Sequence, residues 1–188
     1  MLERALLALA LTWLASTGAS AAPSNEARGR LAPDFTLSDQ HGRAFSLARE
    51  RGHPVVLFFG YTNCPDVCPT ILANLKRARK ALGPAGSGVV VALVTVDPKR
   101  DTPAELGRFV AAFDPSFFGL TGSAAQLASV YRAFGVRISS LQSISSVDYL
   151  VEHTAFVYYI GRDGRIRGYG TWSDSEAILE ESLKAIAG

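Results

Sequence analysis

Two kinds of apolar pattern alternate along this chain: short unbroken runs of strand length, and longer stretches with a helical repeat. Val55–Phe59 and Val89–Val96 are runs rich in β-branched and aromatic residues, and they read as buried strands. Between them Ile71, Leu75, Ala78 and Leu82 recur along one helix face, and Lys76, Arg77, Arg79 and Lys80 cover the other. Pro69 suits the first turn of that helix, where a missing N–H costs nothing. Thr102-Pro103-Ala104-Glu105 has the form of a capping box and opens a second helix, with Leu106, Phe109, Val110 and Phe113 as its apolar face. Phe117–Leu120 is a short strand, and Ser123–Phe134 is a third helix stopped near Gly135. Residues Arg137–Glu152 are Ser-rich, show no clear period and read as irregular. His153–Ile160 returns to strand. Gly161-Arg162-Asp163-Gly164 turns it into Arg165–Thr171, and a last helix capped by Ser173 or Asp174 runs to about Ala187.

Upstream of all this, Pro33–Leu37 and Ala44–Leu47 flank the turn Asp39-Gln40-His41-Gly42, which predicts a small hairpin. Strand–helix alternation of this kind argues for an α/β sheet. The first strand–helix–strand unit should be parallel and right-handed, and the last two strands, joined by a four-residue loop, antiparallel. A mixed central sheet, an N-terminal β-hairpin and a loop after the first core strand together describe a thioredoxin-like fold. Ligands of open α/β sheets gather at the carboxyl ends of the strands.

Composition bounds the function. At 188 residues, 48% hydrophobic, the chain can bury one ordinary core. The net charge of +2 is scattered, and no basic stripe points to nucleic acid. Ala5–Ala15 is apolar, and Ala19-Ser20-Ala21 is a small-residue cleavage pattern. Residues 1–21 therefore read as a signal peptide, or as a retained membrane anchor, since Glu3 offsets Arg4 in a weak n-region. Residues 22–31 form a polar linker, and 32–188 the folded domain. No cysteine lies near the cleavage site, which argues against a lipoprotein. The expected location is outside the cytoplasm, in a bacterial periplasm or on the inner membrane facing it. Thiols there are oxidised unless a dedicated system reduces them.

Both cysteines, Cys64 and Cys68, fall between the first core strand and the first helix. Unpaired N–H groups and the positive end of the macrodipole favour anions there, and so favour thiolates. Three uses compete. A structural disulfide closing so short a loop gains only about 2 kcal/mol. A dithiol oxidoreductase would normally space its cysteines by two residues, whereas here Pro65, Asp66 and Val67 intervene, and the Asp66 carboxylate should oppose thiolate formation. A metal site is the third use. Two thiolates with one imidazole form a soft, low-coordinate set suited to Cu(I), whereas zinc would want a fourth ligand. Of the three histidines, His41 lies in a turn and His53 at the far end of the strand from the cysteines. His153 begins a core strand after the irregular stretch. Asp97 and Asp101 follow the second strand near the same end of the sheet, and capping is their ordinary role.

Three segments carry a family resemblance: Gly60-Tyr61-Thr62-Asn63-Cys64-Pro65-Asp66-Val67-Cys68-Pro69-Thr70, Val94-Thr95-Val96-Asp97-Pro98-Lys99-Arg100-Asp101-Thr102-Pro103, and Asp148-Tyr149-Leu150-Val151-Glu152-His153-Thr154. From about Ala32 to the C-terminus the chain resembles the SCO/SenC family of copper-handling proteins. The resemblance implies a thioredoxin-like, exported or membrane-associated protein whose cysteine pair and distal histidine bind copper, here Cys64, Cys68 and His153. The metal would be Cu(I), with Cu(II) as the second state. It further implies a role in assembling the binuclear copper centre of cytochrome c oxidase subunit II, by donating copper, by reducing that subunit's cysteines, or both. Other copper chaperones or thiol reductants would be further partners. Glu152 departs from the family, which more often has Asp there, and the leader looks cleavable where many relatives keep an anchor.

The alternative to a metallochaperone is a thiol–disulfide oxidoreductase using the same Cys64 and Cys68. The Phe35-Thr36-Leu37 and Phe58-Phe59 regions are similar to peroxiredoxins. That family wants Thr three residues before its peroxidatic cysteine, where this chain has Tyr61, and Cys68 lies too near to act as a usual resolving cysteine.

Overall fold

The computed structural model describes residues 28–143 and 149–188. The leader expected at 1–21, and the first part of the linker, lie outside the described residues. Among the described residues no helix is long and apolar enough to cross a membrane.

A five-stranded mixed sheet forms the centre. Its strands are β3 (Val55–Gly60), β4 (Val90–Thr95), β5 (Phe118–Leu120), β8 (Val157–Ile160) and β9 (Ile166–Gly170), ordered β5-β4-β3-β8-β9. β3, β4 and β5 run parallel, and β8 and β9 are antiparallel to their neighbours. Helices α1 (Val67–Ala81), α3 (Pro103–Ala111) and α5 (Glu176–Ala187) cover one face. Helix α4 (Ala124–Ala133) and the N-terminal hairpin of β1 (Thr36–Ser38) and β2 (Ala44–Ser46) cover the other. This is the thioredoxin-like arrangement expected from the sequence.

Burial on both faces explains the unbroken apolar runs. Val56 and Phe58 of β3 point to the α1 side with Leu72, Leu75 and Leu183, while Leu57 and Phe59 point to the α4 side with Leu127 and Phe134. Capping follows the sequence at two helices. Thr102 accepts from Glu105 N–H at 3.2 Å, and Ser123 and Gln126 make a reciprocal box. The last helix differs: Ser175 is its cap, and Asp174 instead accepts from Thr171 N–H at 2.9 Å, closing the turn before it. Two short elements add to the expected set, a 3-10 turn at Leu47–Glu50 and the single-turn α2 (Pro84–Ser87).

The largest departure lies between residues 137 and 156. The stretch read as irregular forms an antiparallel ribbon of β6 (Ile138–Ser143) and β7 (Tyr149–His153), with Ile138 opposite His153 and Ser143 opposite Tyr149. His153 therefore ends a ribbon strand; it does not begin the core strand, which starts at Val157. The ribbon stands outside the main sheet, so its sequence shows no core alternation and hides its strands.

Candidate functional site

β3 delivers the chain to the carboxyl edge of the sheet, and the cysteine loop spans the gap to α1. Cys64 is half-buried in that loop; Cys68 is the second residue of α1 and only 1% exposed. The two are free cysteines. Gly60 makes room for the deeper one: a Cβ at that position would sit 2.6 Å from Cys68 Sγ. Cys68 N–H donates to Cys64 Sγ at 3.4 Å, so the start of α1 faces the outer sulfur.

This geometry makes the two thiols unequal. Hydrogen bonding from the Cys68 thiol pulls Cys64 down to about 6; burial opposes this, and the N–H groups of Cys68, Asp66 and Val67 add to it. Cys68 is pushed up, first because its proton is held against Cys64 and then by burial. The shift runs against the opposition expected from the Asp66 carboxylate, first because the Cys68 thiol donates to the sulfur, with the Asp66 N–H adding a smaller part.

His153 approaches from β7. It lines, with Cys64, a cavity of about 530 Å³ whose walls include Tyr61, Asp66, Glu152 and the exposed Trp172. The Tyr61 and His153 rings meet edge-on at 6.0 Å. His153 Nδ1 lies 3.0 Å from Thr154 O. A carbonyl only accepts, so Nδ1 carries the proton and Nε2 keeps its lone pair. Burial lowers the His153 pKa, with the Thr154 bond opposing, which favours the neutral imidazole a metal needs. Cys68 does not line the cavity; it lies behind Cys64. Among the described residues no group of three or more His, Cys, Asp or Glu is already gathered as a metal cage. His41 and His53 are exposed, in the hairpin turn and at the amino end of β3, and neither lines the cavity.

Several residues at the site were not singled out in the sequence. Tyr61 accepts from Val151 N–H at 3.3 Å, and Trp172, 56% exposed, forms one wall. Tyr61 stands beside the cysteines, which is a usable signal; nothing marks Trp172. Asp97 and Asp101 are buried and do more than cap. Asp101 accepts from Thr62 Oγ1 and Thr95 Oγ1, each at 2.6 Å, and Asp97 accepts from the Tyr149 hydroxyl at 2.6 Å.

The SCO1/SenC family model matches residues 23–188. The chain belongs to the SCO1/SenC family. It is 38% identical over 153 residues to the mitochondrial SCO2 homolog of Bos taurus, covering 80% of this chain and 58% of that protein, so it spans less than two thirds of that relative's length. Its fold matches Bradyrhizobium japonicum ScoI with copper bound at a TM-score of 0.75 and 34% identity, over 84% of this chain and 99% of that one. It matches apo Sco1 of Thermus thermophilus at a TM-score of 0.72 and 38% identity, over 84% and 95%. In this SCO1/SenC chain, the three segments that carry the resemblance meet at one end of the sheet. The first and third line the cavity, and the second bonds to both.

Proposed function

We propose that this protein is a copper metallochaperone. Copper is its cargo, held by Cys64, Cys68 and His153 and passed to cytochrome c oxidase subunit II for the binuclear copper centre. The observation that carries this reading is that Cys64 and His153 line one open cavity, with the buried Cys68 hydrogen-bonded to Cys64 behind it. Two sulfurs and one imidazole are a soft, three-donor set that suits Cu(I). Loading would displace the remaining thiol protons, and the Cys68 sulfur already lies against that of Cys64. Copper-bound ScoI as a structural neighbour supports the cargo, and the leader-like pattern of residues 1–21 supports action in a periplasm or at the membrane facing it.

A second reading, thiol–disulfide exchange, is favoured by the inequality of the thiols. Cys64 is accessible and ionises near 6, as an attacking thiol should, and Cys68 is placed to resolve the mixed disulfide. The test is transfer. Copper-loaded protein is mixed with the reduced soluble domain of subunit II, and the metal and thiols of each are assayed after separation. Copper moving to subunit II supports the chaperone. Copper staying put, while oxidised subunit II is reduced by the metal-free protein, would replace it with the reductase.

A further inference from the structure

The loop after β4 supplies no donor to the proposed copper site, yet it holds both halves of it. Arg100 N–H and Asp101 N–H close it on Asp97 O at 3.1 and 2.9 Å. Asp101 grips the cysteine half. Its carboxylate accepts from Thr62 N–H, at 3.2 Å to each oxygen, and from Thr62 Oγ1 at 2.6 Å, two residues before Cys64. Asp97 and Arg100 grip the histidine half through Tyr149, the first residue of β7. The Tyr149 hydroxyl donates to Asp97 Oδ1 at 2.6 Å, and Arg100 Nη2 donates to Tyr149 O at 2.9 Å. The guanidinium sits 3.7 Å from the centre of the Tyr149 ring, and Arg100 Nε donates to Asp97 Oδ2 at 2.5 Å.

The ribbon needs such a fastening. A two-stranded ribbon is marginal on its own, and this one shares no strand pairing with the main sheet. Bonds in which one partner is charged are stronger than neutral ones, and a cation over an aromatic face adds to them. Tyr149 and His153 are the two ends of β7, so what fixes one orients the other. Tyr61 makes the nearer tie, through Val151 N–H.

We propose that Asp97, Arg100 and Tyr149 form a latch that positions His153 against Cys64. Tyr149 is a positioning residue: it touches no metal donor and acts through β7. The latch itself is a matter of geometry; its consequence for copper rests on the chaperone reading. A solely structural role would stabilise the fold without acting through His153.

The test compares wild type, Tyr149→Phe, His153→Ala and the double variant. In the metal-free protein, NMR follows the His153 ring resonances and the exchange of Val151 N–H. Tyr149→Phe should remain folded, shift the His153 ring resonances and speed Val151 exchange about tenfold, one hydrogen bond's worth. In a competition titration with Cu(I) alone, Tyr149→Phe should weaken binding about tenfold with His153 present and not at all in the His153→Ala background. Unchanged His153 resonances and Val151 exchange would overturn the proposal, as would equal copper losses in both backgrounds. If wild type and His153→Ala hold Cu(I) alike, the histidine's part in the copper reading fails, and the metal-free NMR comparison still decides the latch. Should Tyr149→Phe not fold, Asp97→Asn, which keeps an acceptor for the tyrosine but loses the ion pair, is read by the same criteria.

Discussion

Cys64 and Cys68 differ because one faces a helix terminus and a cavity, and the other faces the core. The Cys68 thiol and three N–H groups stabilise the Cys64 thiolate, so its reactivity should rise with pH through a midpoint near 6. A depressed pKa means that the anion persists at neutral pH and is lost as pH falls below that midpoint. Alkylation of the metal-free protein with iodoacetamide, followed by mass spectrometry, should label Cys64 at pH 7 and leave Cys68 unlabelled. Equal labelling would mean that the helix start does not govern the pair. Replacing Cys68 with Ala, which removes the thiol that donates to the Cys64 sulfur, should raise the Cys64 midpoint. Gly60 is the other sensitive residue. Gly60→Ala puts a methyl group against Cys68 Sγ, Leu93 and Phe58, and overpacking of this kind costs about 1–3 kcal/mol. Urea denaturation should show that loss; a stability equal to wild type would mean that the Cys68 side chain readily moves aside.

At the scale of elements, the capping residue of α4 gives a simple check. Ser123→Ala removes the acceptor for Gln126 N–H and should cost about 1 kcal/mol in thermal or urea unfolding, with no effect on the thiols. That cap was legible in the sequence, as were the core strands and the cysteine helix, because each has a period or a run that physics ties to one conformation. The β6–β7 ribbon was not legible. It pairs with no core strand, and its Ser-rich composition carries no apolar alternation, so a search for buried faces passes over it. The site followed the same divide. Cys64, Cys68 and His153 stood out by residue type and family resemblance, and Cys64 and His153 do share a cavity. The inequality of the thiols depended on which one α1 buries, and spacing alone does not reveal that. Asp97 and Asp101 lay in a visible motif, but their partners Tyr149 and Thr62 are distant in sequence, so capping was the natural expectation.

On the scale of the whole molecule, the sheet is a platform and the site is assembled at its carboxyl edge from three separate segments. Two of them carry the proposed metal donors and the third ties them together. That division puts Cys64 and His153 at a solvent-open cavity while the core beneath stays closed. Trp172, Asp66 and Glu152 line the same cavity. The central claim is that copper is held by two sulfurs and the imidazole of His153. X-ray absorption of the Cu(I)-loaded, fully reduced protein, with His153→Ala alongside, tests it most directly. The account predicts two sulfur scatterers and one imidazole nitrogen in wild type, with the nitrogen lost in the variant. A sulfur-only shell in wild type, or identical spectra from the two proteins, would contradict it.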